Sequence, residues 1–295
     1  MKKNLCCLMV LIAYGASGQD DLLKELESKP AEIQYTFATF KGTRIINGQS
    51  VETKRKGELE FIFSHRFGLI NEGAYALWGM DESVTRLGLE YGITDRLGVG
   101  IGRTSVDKTF DGYLRYKLLR QSTSFPVTVT TLGSVYYKTY PRNSESPVPL
   151  SAEDRLAYGL QLLIARKFNP KLSLQLNPIF IHRNTVDQDV ENNDDLALGF
   201  AGRYKLTKSV ALSGEYTLRL NAKENQPPDY IRYNAIGIGI DIETGGHVFQ
   251  LVFTNTLGMF ERYTVTETYE DFGAGDIHFG FNITRTFQLG GKRYP

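Results

Sequence analysis

The four histidines are the first residues to test for chemistry, because a histidine beside a hydroxyl is the commonest route to an activated nucleophile. Ser64 and His65 are adjacent, and in an extended strand adjacent side chains point to opposite faces, so they do not form a nucleophile and base with each other. His182 stands beside Arg183 with no serine at a partner spacing, His247 adjoins a compact turn, and His278 falls on an alternating segment. Each reads as a surface, interfacial or interior histidine without a catalytic partner. Gly98-x-Gly100-x-Gly102 has a phosphate-cradling rhythm, but no helix follows to present its N-terminus, so no nucleotide is expected. The run Asp187 to Asp195 is acidic enough to hold a divalent cation, yet it lacks the glycine and terminal glutamate of a calcium loop and reads as a solvated loop. No catalytic residue, metal site or cofactor is assigned.

The residues that do carry a signal are ionic and regularly spaced. Glu58, Glu60, Arg66, Arg86, Glu90, Asp111, Arg115, Lys117, Arg203, Lys205, Glu215 and Arg219 share one face of alternating segments whose other face is apolar. Thus Leu59, Phe61 and Phe63 oppose Glu58, Glu60, Ser64 and Arg66, and Leu87, Leu89 and Tyr91 oppose Arg86, Gly88 and Glu90. Charges of both signs on neighbouring strands predict an ion-pair network that fills an interior, whereas an open pore of one ionic preference calls for a lopsided lining. Glycines 88, 92, 98, 100 and 102 share the ionic face and are expected to leave room for Arg and Tyr side chains from the opposite wall.

About twelve such segments follow one another: 57–67, 86–93, 97–103, 110–119, 125–138, 155–168, 172–182, 196–206, 210–220, 231–242, 248–255 and 277–289. Their connections alternate, with compact turns at 94–95, 121–124, 169–171, 207–209 and 244–246. The others are mostly long and polar, at 68–83, near Asp107, and at 139–152, 185–195, 221–229 and 256–276. That parity predicts an all-β, transmembrane antiparallel up-and-down β-barrel, with tight turns on the periplasmic side and long loops facing outward. A soluble sandwich or lipocalin-like barrel has no reason to sort connections in this way. Pro126 is placed at a strand opening, and Pro178 inside a strand predicts a bulge or an early end. Tyr136, Tyr137, Tyr140, Phe180, Tyr204 and Tyr230 are expected in interfacial girdles.

Lys2 and Lys3, an apolar run from Leu5 to Tyr14 and Ala16-Ser17-Gly18 predict an export signal over residues 1–18. Cys6 and Cys7 both lie in it, so the exported chain is expected to carry no disulfide or thiolate chemistry. The 34 basic and 33 acidic residues nearly cancel, which argues against nucleic acid as a partner, and a mean hydropathy of −0.27 suits a barrel whose alternate residues face inward. Residues 19–56 are expected to form a periplasmic extension or lumen plug ahead of a barrel over 57–295. Asp20 to Ser28 has an amphipathic pattern and Asn47-Gly48 offers a hairpin turn; a hairpin joining the wall gives about fourteen strands.

Several strings then fall into a familiar pattern. They are Lys41-Gly42-Thr43-Arg44, Gly57-Glu58-Leu59-Glu60, Ser64-His65-Arg66-Phe67-Gly68, Arg86-Leu87-Gly88-Leu89, Tyr91-Gly92 and Thr94-Asp95-Arg96-Leu97. Gly100-Ile101-Gly102-Arg103, Tyr116-Lys117-Leu118-Leu119-Arg120, Gly275-Asp276-Ile277 and Phe279-Gly280-Phe281-Asn282-Ile283 continue it. Together they resemble a domain-of-unknown-function family of outer-membrane β-barrel proteins of Gram-negative bacteria, across nearly the whole exported chain. The resemblance implies a barrel and transfers no catalytic residue. Phe287 is not the last residue, so the chain departs from the commonest outer-membrane ending.

The leading expectation is an outer-membrane barrel with a narrow or plugged lumen, acting as a small-solute or lipophile conduit or as a structural envelope protein. Its expected partners are outer-membrane lipids, lipopolysaccharide and the barrel-assembly machinery. A lipid-modifying enzyme using His65 and His182, and a soluble periplasmic binding barrel, are the competing readings.

Overall fold

Alternation of apolar and polar side chains leaves a strand with one greasy face, and twelve such strands satisfy their edges by closing on themselves. The computed structural model describes residues 33–139, 151–223 and 227–289. The expected export signal, the amphipathic stretch 20–28 and Tyr140 lie outside them. The strands are Glu58–Leu69 (β1), Ser83–Gly92 (β2), Leu97–Thr104 (β3), Thr109–Leu119 (β4), Thr128–Lys138 (β5) and Leu156–Lys167 (β6). Leu172–Arg183 (β7), Asp194–Lys205 (β8), Val210–Arg219 (β9), Ala235–Thr244 (β10), His247–Thr254 (β11) and His278–Gln288 (β12) complete them. Each pairs antiparallel with its sequence neighbours, and β1 closes the barrel on β12 from Glu58 opposite Gln288 to Arg66 opposite Gly280.

The greasy face points out. Leu87, Leu89, Ile101, Leu114, Leu160 and Ile238 are all more than two-fifths exposed, a continuous apolar belt that water would not tolerate and a lipid bilayer matches. The inward face is buried but not uniformly polar, because two chain segments fill the lumen. From the turn side comes the segment before β1: Thr43–Ser50 forms a hairpin with Ile45 N donating to Gly48 O (3.0 Å) and Ser50 N to Thr43 O (2.8 Å). It does not join the wall, so the strand count stays at twelve. Its Phe40, Ile45, Ile46 and Val51 pack on inward Leu163, Ala165 and Val252.

From the loop side comes the β11–β12 connection, which carries the six-residue helix Glu261–Thr266 (α1), buried throughout. The expectation that residues 256–276 face outward is corrected here. Phe260 and Val265 are fully buried against Tyr136, Ile179, Ile181 and Ala197, and burying side chains of this kind stabilises by roughly 1.5–3 kcal/mol each, which draws the segment inward. Tyr136 accordingly belongs to the lumen and not to a girdle, whereas Phe180 and Tyr204 do face out.

Two proline expectations also change. Pro126 precedes β5, which starts at Thr128, and Pro178 neither ends β7 nor shifts its register. Gln161 pairs with Ile179 and Ile164 with Leu176 in one unbroken register, with the ladder omitted only in between. The missing N–H of proline costs local pairing, and the continuous pairing of β7 with β8 holds the strand straight.

Candidate functional site

The lumen glycines decide how the interior charges meet. On β3 every inward position between Leu97 and Arg103 is glycine, so that strand contributes a bare floor across which β2 and β4 reach each other. Arg86 spans it to Asp111, with Nε at 3.0 Å and Nη2 at 2.5 Å, a two-pronged pair wholly out of water. Tyr113 lies on Gly100, where a β-carbon would sit 2.1 Å from the ring, and its hydroxyl donates to Glu90 (2.9 Å). Arg115 Nε stands 3.0 Å from Glu90 Oε1, an ionic contact whose alignment falls short of a hydrogen bond. Gly98, Gly100 and Gly102 therefore make room for side chains of adjacent strands, not of the opposite wall, and Gly92 makes room for the backbone of Lys54 and Arg55 of the segment before β1.

The same charges clamp the plug. Arg115 donates to the carbonyls of Ser50 (3.1 Å) and Glu52 and to the Gln49 side chain. Glu60 pairs with Lys54 at 2.6 Å and accepts from Thr43 at 2.5 Å, while Lys117 faces Glu52 at 3.6 Å. Glu215 accepts the turn amides of Asn47 (2.9 Å) and Gly48 (3.1 Å), and Arg66 donates to Asn47 (2.7 Å) and Asn282 (3.1 Å). Gln175 takes the amide of Val51 (2.9 Å) and donates to the carbonyl of Gln49 (2.7 Å), and Thr130 donates to Val51 O (2.8 Å). Gln250 and Asn282 donate to the carbonyls of Ile45 (2.6 Å) and Ile46 (2.9 Å). A hairpin without a sheet partner thus has its backbone satisfied by the wall, as burial requires.

Arg203 pairs with Asp241 (2.8 Å) and Glu243, and Lys41 of the plug reaches the same Glu243 (3.0 Å). Arg219 meets Asp195 at 3.0 Å. Two of the expected residues sit apart from these pairs: Glu58 is at the turn-side rim, accepting the Arg55 amide at 2.9 Å, and Lys205 is a half-buried residue at the same end.

The two segments meet at one point. Arg44 Nη1 donates to the carbonyls of Asn47 (2.9 Å) and Met259 (3.1 Å) and lies 3.5 Å from Glu261 Oε1, with both side chains almost fully buried. Burial alone would lower the Arg44 pKa, but the carboxylate of Glu261 and further negative groups outweigh it and hold the guanidinium charged. Tyr136 donates to the other Glu261 oxygen at 3.2 Å. Outside this contact, Glu267 is clasped by Arg262 (2.6 and 3.0 Å) and Lys138 (2.9 Å). Burial would raise the Glu267 pKa, and these cations reverse the shift and bring it to about 2. Cavities between plug and wall measure ≈ 30 and ≈ 20 Å³, room for about a water or two, whereas one above α1 measures ≈ 300 Å³.

A family described as "Membrane bound beta barrel domain (DUF5777)" matches residues 40–287. The chain belongs to that family. Its fold is similar to that of the NanC porin (10% identity, 78% of this chain and 100% of that one, TM-score 0.52). The KdgM porin (8%, 78% and 99%, 0.46) and a Rhodopseudomonas blastica porin triple mutant (11%, 69% and 55%, 0.33) also match. No curated protein matches the chain. This membrane-bound barrel thus has a porin-like wall around an interior filled by its own chain.

Ser64 is buried inside whereas His65 faces out, stacked on Phe281 at 5.2 Å. His182 Nδ1 is 2.7 Å from Asp194 on the loop-side rim, with no hydroxyl hydrogen-bonded to its ring among the described residues. His278 is buried, 2.9 Å from Phe67 O. The acidic run is mostly committed: Asp195 pairs with Arg183 and Arg219, and Glu191 with Arg183 and Arg232. Sequence reading missed Arg44, Lys54, Asp241, Glu243, Glu261 and Glu267. For Asp241 the signal was present, since it shares the inward parity of Gly237 and Gly239.

Proposed function

We propose that this protein is an outer-membrane barrel of the porin type, closed at rest by its own N-terminal segment and its β11–β12 segment, through which small solutes pass when these withdraw. The observation that carries the reading is the buried Arg44–Glu261 contact at 3.5 Å, which joins the two segments inside the lumen. Two features support a movable closure over a fixed core. The wall is complete without either segment, and the plug is held by side-chain hydrogen bonds to its backbone and by ion pairs rather than by a shared sheet. The outer membrane is supported by the lipid-facing belt, the closed antiparallel barrel and the expected leader. A non-enzymatic role is supported by the opposite faces of Ser64 and His65.

Liposome swelling tests this. The exported chain is expected to leave vesicles almost impermeable to monosaccharides. A variant with residues 40–51 and 258–268 each replaced by a short Gly-Ser link is expected to admit them while still excluding large dextrans. If the variant keeps the heat-modifiable gel migration of a folded barrel and remains impermeable, a purely structural role replaces the conduit.

A further inference from the structure

The connection between β1 and β2 carries large apolar side chains that stand exposed. Tyr75 is 99% exposed, and Leu77, Trp78 and Met80 are each about half exposed, on a stretch that begins directly beyond the lipid-facing strand end. The stretch is not a loose loop. Leu77 and Trp78 hold left-handed backbone (φ 48° and 53°), and Gly79 (φ 85°) lies so close to Gly68 that a β-carbon would meet its carbonyl carbon at 2.4 Å. Ile70 N donates to Ile277 O (2.9 Å) and Asn71 donates to Asp276 (2.6 Å), tying the lobe to the approach to β12. Consecutive left-handed non-glycine residues are unfavourable and persist only where surrounding contacts over-determine them. Here they fix Leu77 and Trp78 in exposed positions.

We infer that this lobe is a membrane foot, which seats Tyr75, Leu77, Trp78 and Met80 in lipid at the water–hydrocarbon boundary of the outward-facing leaflet. The occupant follows from continuity with the lipid-facing belt. Phe67 on β1 stacks on Phe279 of β12 at 5.8 Å, and Phe279 contacts Phe253 of β11 at 5.3 Å, so an aromatic cluster of the outer wall leads up to the lobe's root. Tryptophan and tyrosine prefer that boundary, where the ring leaves water and its polar edge stays hydrated. Glu72, Asp81 and Glu82 lie exposed on the same connection, and the inference requires their carboxylates to stay in water.

Trp78 is the single tryptophan of the chain, so its emission reports this lobe alone. The folded barrel, verified by heat-modifiable migration, is reconstituted in phosphatidylcholine vesicles brominated near the glycerol end or near the chain end. The foot predicts a loss of emission of about twofold or more with the shallow bromines, less with the deep ones, and weak quenching by aqueous iodide. Strong iodide quenching with no effect of bromolipid would place the lobe in water and overturn the inference. Insensitivity to both quenchers would show the lobe covered by protein, such as a second copy, and overturn it equally.

Discussion

Replacing Arg44 with alanine removes one partner of a buried ion pair and leaves Glu261, whose side chain is 4% exposed, without its cation. Breaking a buried pair in this way costs about 3–5 kcal/mol, because the remaining charge stays desolvated. The lower end applies here, since the contact is 3.5 Å long and Glu261 keeps the Tyr136 hydroxyl at 3.2 Å. A cost of about 3 kcal/mol is about a hundredfold in the equilibrium for withdrawing the β11–β12 segment from the lumen. Amide hydrogen exchange reads that equilibrium directly. The amides of Thr264 and Glu267 donate to Phe260 O (3.2 Å) and Tyr263 O (2.8 Å) and can exchange only when the segment opens. They are expected to exchange about a hundredfold faster in Arg44→Ala, while strand amides of β6 and β7 keep their rates. Glu261→Gln on that background should add less than it costs alone, as coupled partners do. Unchanged exchange of these two amides in Arg44→Ala would refute the latch.

Three further outcomes follow from the same geometry. Glu267, held at about 2 by Arg262 and Lys138, has a depressed pKa, so its contribution is complete above its ordinary value of 4.5 and is lost as pH falls from there toward 2. Thermal unfolding followed by circular dichroism should therefore lose stability, about 3 kcal/mol from this group, over that window, and Glu267→Gln should flatten that part of the profile. Gly100→Val drives a side chain into the Tyr113 ring and should destabilise the barrel by about 1–3 kcal/mol in denaturant titration, whereas Gly133→Ala, with open space around it, should stay within about 0.5 kcal/mol. Glu215→Leu leaves the turn amides of Asn47 and Gly48 without acceptors and should expose residues 39–52 to proteolysis at a rate at least about tenfold higher.

The wall was legible because a period of two recurs in each of the twelve strands, and because strand ends shift by only a few residues when the turn chemistry is local. Which inward residues are apolar was less legible. Tyr136, Ile179 and Ile181 break the polar lining because they pack on Phe260 and Val265 of a segment more than seventy residues away, and alternation carries no such long-range term. The β11–β12 segment itself reads as a loop: α1 is threonine-rich, shorter than two turns, and its caps are not marked by side-chain oxygens. Its apolar trio of Phe260, Tyr263 and Val265 was the available signal. Asn47-Gly48 did mark a turn, but where the hairpin sits depends on Glu215, Arg66 and Arg115 of three distant strands. The charge list was found from parity, while half of the partners lie on the plug and on the rim, where parity does not reach.

The central claim is that the chain closes its own lumen, and single-channel recording of the full exported protein in planar bilayers tests it most directly. The account predicts a baseline without steady conductance at low voltage, and brief openings that become about a hundredfold more frequent in Arg44→Ala. A stable, ohmic, long-lived conductance of the unaltered protein would contradict it.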